Sequence, residues 1–123
     1  MGLAANQARL NVLTARKSDL ELRLTLIMNQ TMKLATDRAQ ALEDKATAIT
    51  DYVNNNNDED VKFEDTQEYI DYEKAMDIIE AADLRLTQQQ QTVETELAAI
   101  SAEKEEIEKL VDSNIEDSFG YFN

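Results

Sequence analysis

The chain has 123 residues, with no Cys, His, Pro or Trp, only two Gly, and 26 acidic against 12 basic side chains, a formal net charge of -14. Without Cys or His there is no structural zinc site, thiolate nucleophile, haem or iron-sulfur ligand set, or His-based acid/base pair. A polyanion repels phosphate backbones and anionic lipid, so nucleic acid is not an expected partner, and no run approaches the roughly 20 apolar residues needed for membrane insertion.

Residues 3–53 hold no Gly or Pro and are rich in Ala, Leu, Arg, Gln and Lys, which predicts one uninterrupted helix. The polar run 54–65 begins Asn54-Asn55-Asn56-Asn57-Asp58-Glu59-Asp60, whose side chains compete for backbone hydrogen bonds and favour a turn. Asp65 with Glu68 three residues on resembles a capping box, and a second helix is predicted over 66–118. A short aromatic tail, 119–123, is expected to follow it. Charge divides along the same boundary: residues 1–53 carry seven basic and six acidic side chains, and residues 54–123 five basic and twenty acidic.

Both predicted helices repeat every seven residues. In the first, Leu13, Leu20, Ile27, Leu34, Ala41 and Ala48 form one row, and Leu10, Leu24 and Thr31 alternate with Lys17, Arg38 and Lys45 in its companion. In the second, Tyr72, Ile79, Leu86, Val93, Ile100 and Ile107 form a row beside Met76, Leu97 and Val111. Heptads sustained at this length predict a coiled coil. The expected fold is all-α, a single antiparallel coiled-coil hairpin of two long helices. Its register follows from pairing positions whose numbers sum to 117: Leu10 with Ile107, Leu20 with Leu97, Leu24 with Val93, Ala41 with Met76. Flanking charges are expected to pair as Arg16 with Glu103 and Arg23 with Glu96. Lys17, Lys104, Asp83 and Arg38 interrupt the seam, and the long basic stems are expected to lie over it with their heads in water.

Some apolar residues lie off the seam. Val12, Leu22 and Leu26 point elsewhere, and a helix apolar on more than one face is usually covered by more than one neighbour. The hairpin brings Leu3 to the same end as Ile115, Phe119, Tyr121 and Phe122, and these eight residues are the expected self-association surface. No catalytic, cofactor or metal-binding residues are expected, and the chain does not read as an enzyme. Asn54, Asn56, Asp58 and Asp65 have the alternation of a calcium loop, but Glu59 stands where that loop needs Gly for its sharp turn, so a solvated turn is expected.

The architecture, a His-free and Cys-free hairpin with apolar chain ends and a polar turn, resembles the axial and needle subunits of bacterial flagellar and type III secretion systems. This resemblance is architectural and rests on no sequence motif. It implies a structural subunit that polymerises through its terminal helices, with export lacking a cleaved signal and assembly at the cell surface or beyond. The alternative is a cytoplasmic chaperone or adaptor that binds other helical proteins through its apolar end. Prefoldin beta subunits resemble the chain in length and coiled-coil arms, although Val61-Lys62-Phe63 is too short for their central strands.

Overall fold

The computed structural model describes the backbone of residues 2–55 and 62–122, and the side chains of these through 117. It is all-α. Helix α1 spans Leu3–Asn55, a 3-10 turn covers Phe63–Asp65, and helix α2 spans Gln67–Phe122. The backbone expected as a tail is therefore helical to Phe122, which fits a segment whose one Gly, Gly120, costs an extended helix only about 1 kcal/mol. Asn54, expected in the turn, belongs to the last turn of α1, and Asn56 and Asp58 of the calcium-loop pattern lie outside the described residues.

The start of α2 differs from the expected capping box. Thr66, not Asp65, is the cap: its Oγ1 accepts a hydrogen bond from the Tyr69 N–H at 3.3 Å and donates to the Phe63 carbonyl at 2.6 Å. Asp65 is held in the 3-10 turn, where its N–H donates to the Lys62 carbonyl at 3.0 Å. A hydroxyl can accept and donate at once, so Thr66 joins the turn to the helix where an ionised Asp could only accept.

The molecule divides into two compact units, Met1–Leu26 with Gln89–Asn123, and Ile27–Gln88. In the first, Leu13, Ile107 and Val111 form a buried cluster, with Leu3, Leu10, Ile100 and Ile115 packed against it. Leu20 and Val93 of this unit are buried as well. Rising numbers on α1 meet falling numbers on α2, as the ion pairs Arg9–Glu103 and Arg16–Glu96 show, so the helices are antiparallel here. Leu10 and Ile107 share the cluster, as the register expects.

The most buried side chain of this unit is polar. Asn6, 1% exposed, lies seven residues before Leu13 and so continues the core row; its Oδ1 has no hydrogen-bond partner. A buried amide in a coiled-coil seam lowers stability and favours the registers that tolerate it.

In the second unit Ile27, Ile79 and Leu86 are buried, and Ala41, Ala48 and Tyr72 are half-buried. An aromatic chain joins the helices across the turn: Tyr52 meets Phe63 edge-on at 5.9 Å between ring centroids, Phe63 meets Tyr69 at 5.8 Å, and Tyr69 meets Tyr72 at 6.4 Å. The Lys45 ammonium sits 4.5 Å from the Tyr72 centroid and 5.8 Å from that of Tyr69. Lys45 with Tyr72 also obeys the expected register. The helices are antiparallel in this unit too, since Lys45 meets Tyr72 and the later Tyr52 meets the earlier Phe63.

Two substitutions test this account. Phe63→Ala removes the ring at the centre of the aromatic chain and should lower unfolding free energy by about 2–3 kcal/mol in urea titrations. Asn6→Leu replaces an unsatisfied buried amide with an apolar side chain of similar size, and the same titration should show a gain of about 1–2 kcal/mol.

Candidate self-association interface

The flanking charges pair differently from the expected scheme. Glu103 takes Arg9 and Glu96 takes Arg16 at 4.0 Å, each one heptad earlier on α1 than expected, while Arg23 turns to Asp19 on its own helix at 3.2 Å. Arg9, Arg16 and Arg23 recur every seven residues, about 10 Å apart along the axis, so a Glu beside this row can be reached from either neighbouring Arg. Arg23 has an acid one turn back on its own helix, the geometry of an i,i+4 pair, and Arg9 has no acid within four residues on either side. Local competition thus removes Arg23 from the row and recruits Arg9. The Lys104 side chain is half-buried over the seam with its ammonium 3.8 Å from Glu108, the disposition expected of a long basic stem.

The expected self-association residues separate into three groups. Val12, Leu22 and Leu26 are more than half exposed. Leu3 and Ile115 instead pack against the buried Leu13, Ile107 and Val111, so they belong to the subunit's own core. They lie at the outer ends of the apolar rows, where a seam continues as long as the two helices remain side by side. The side chains of Phe119, Tyr121 and Phe122 lie outside the described residues.

Val12, Leu22 and Leu26 fall into a row of their own. With Ala8, Ala15 and Asp19 they follow spacings of four and three, and all are exposed. The row lies on the side of α1 facing away from the seam rows, and its one charge, Asp19, is neutralised locally by Arg23.

The second unit carries a longer stripe that the sequence reading overlooked. Met28, Ala35, Leu42 and Ile49 are spaced by seven, as are Met32, Ala39, Ala46 and Val53, and the two rows interleave by four and three. All eight are exposed; Met32 reaches 67% and Val53 63%. At about 100° per residue, this stripe is rotated by roughly a quarter turn from the seam, whose rows run one residue earlier through Ile27 and Thr31. Three alanines disguised it, because a search for large side chains breaks the pattern where a search for spacing does not.

Polar features of this unit surround the turn. A shallow groove of about 290 Å³ is lined by Ala41, Lys45 and Ala48 of α1 and by Glu68, Asp71 and Tyr72 of α2, open because alanines stand where the seam elsewhere has leucines. Glu73 accepts a hydrogen bond from the Tyr69 hydroxyl and holds that phenol above its ordinary pKa. Among the described residues no cluster of acidic side chains has the geometry to hold a metal ion, and no helix is long and apolar enough to cross a membrane.

No protein-family model, curated protein or solved structure matches the chain. Among the described residues, the exposed apolar rows and the charges beside them are the surface features available for binding.

A double-mutant cycle tests the pairing. Arg9→Ala and Glu103→Ala should show a coupling of about 0.2–1 kcal/mol in low salt, and Arg16→Ala with Glu103→Ala none above error. The reverse result would restore the pairing expected from heptads alone.

Proposed function

We propose that this protein is a structural subunit that acts by self-association, as the repeating unit of a helical filament. The observation that carries the reading is the exposed row Val12, Leu22 and Leu26 on a helix whose opposite face is already committed to its own seam. Water-exposed leucines in a sustained helical row are covered in the working state of most soluble proteins, and a second copy is the partner always present at matching concentration. Polymers form when a single contact does not close on itself, or when two separate patches each join a different neighbour, and α1 offers two such patches. The lack of Cys is compatible with a chain that is exported unfolded and assembles outside the cell, where stray disulfides would be a hazard.

The test compares the wild type with the double variant Leu22→Glu, Leu26→Glu by electron microscopy and light scattering. The wild type should form long particles, more readily as ionic strength rises, because a net charge of -14 on each subunit opposes assembly until it is screened. The variant should keep its helicity by circular dichroism and lose the long particles. A wild type that stops at a small oligomer at every concentration and salt would overturn the filament and favour an adaptor.

A further inference from the structure

The stripe of the second unit, from Met28 to Val53, has the spacing of a complete coiled-coil seam without a partner. We infer that it docks the same stripe of a second copy, parallel and in register, making a dimer the building block of the assembly. This inference rests on the self-association reading and adds to it the contact, its partner and its orientation.

Charge decides the orientation. In a parallel pair, the residue flanking one row faces the residue five positions on in the partner, so Arg38 of each copy meets Glu43 of the other, twice by symmetry. Both side chains are exposed, and among the described residues neither has a salt-bridge partner within its own chain. The other positions flanking the stripe in this way, Thr31 with Thr36 and Lys45 with Thr50, carry no like charges to oppose each other. An antiparallel pair would instead set Arg38 against Lys45, a repulsion repeated twice.

The second helix favours the same choice. Lys45, on the flank of the stripe, faces Tyr72 and Tyr69, so α2 of this unit runs along that side. Between Gln67 and Gln88 it carries six acidic and two basic side chains. Parallel pairing about a two-fold axis along the stripe puts the two acidic helices on opposite flanks, whereas antiparallel pairing puts them on the same flank, where they repel.

The size of the stripe sets the scale of the contact. Twenty-six residues at 1.5 Å each make it about 39 Å long, and a helix about 12 Å wide then buries on the order of 900 Å² for the pair. That lies below the roughly 1,200 Å² at which standard specific interfaces begin, in the range of weak, transient contacts, so the dimer should dissociate on dilution.

Because the chain has no Cys, a single introduced one reports on this contact alone. Leu42 faces itself in the parallel pair, so Leu42→Cys should give a disulfide-linked dimer on mild oxidation; in an antiparallel pair it would face Ala39 and stay free unless Ala39→Cys is added. Sedimentation equilibrium is run in the Leu22→Glu, Leu26→Glu background, where further growth is blocked. There Arg38→Glu or Glu43→Arg alone should weaken the dimer about tenfold, and the two together should restore it. Crosslinking at Leu42 with rescue by the double swap supports the inference. A dimer strengthened by Arg38→Glu, or crosslinked only with Ala39→Cys, overturns the parallel orientation. A monomer at all concentrations in that background, with long particles in the wild type, overturns the stripe contact and leaves the filament standing; dimers in a wild type that never forms long particles do the opposite.

Discussion

Everything in this structure depends on covering an apolar row that returns every seven residues along a helix of some fifty residues. A helix of that length cannot fold its own stripe out of water, so it needs a second helix of the same period, and the chain supplies one after its polar turn. Burying one Leu or Ile is worth about 1.5–3 kcal/mol, while an exposed ion pair contributes about 0.2–1 kcal/mol. The apolar rows therefore choose the register and the charges accommodate it. This is why Leu10 and Ile107 share a cluster as their numbers require, while Glu103 and Glu96 are free to take arginines one heptad away from the expected ones.

What was legible in the sequence follows the same order of energies. Leu13, Leu20, Ile27, Ile79, Leu86, Val93 and Ile107 all belong to rows visible as spacing, and all are buried. The helix ends were less legible because they rest on single hydrogen bonds: Asp65 and Thr66 are both good caps, and only the 3-10 turn that claims Asp65 decides between them. Asn6 and Arg9 lie seven residues before Leu13 and Arg16, so spacing alone could have found both. Residue type hid Asn6, since an amide is not sought in a core row, and Arg9 was missed because the expected charge pairs began only at Arg16. Phe63 was hidden differently, for its partners Tyr52 and Tyr69 become neighbours only once the turn is formed.

The two helices have divided the work of the surface between them. On α1, large exposed apolar residues fall into two rows of heptad spacing, one in each unit, and its charges nearly cancel. On α2 such residues are interrupted: Asp77 stands midway between Ile70 and Leu84, and the positions seven residues either side of Ile78 are Asp71 and Arg85. An apolar residue flanked by charge along its own row cannot extend into a seam, so α2 presents single hydrophobes of the kind every soluble surface carries.

In the proposed self-association, that asymmetry adds selectivity to adhesion. Two near-neutral faces can approach with little electrostatic cost, whereas contact through α2 would bring the acidic excess of residues 54–123 against another like it. The repulsion acts on every arrangement that uses the wrong helix, including partial overlaps that hydrophobic attraction alone would tolerate. An alternative contact is therefore penalised by charge before its packing is tried, and the apolar stripes of α1 need only outcompete water.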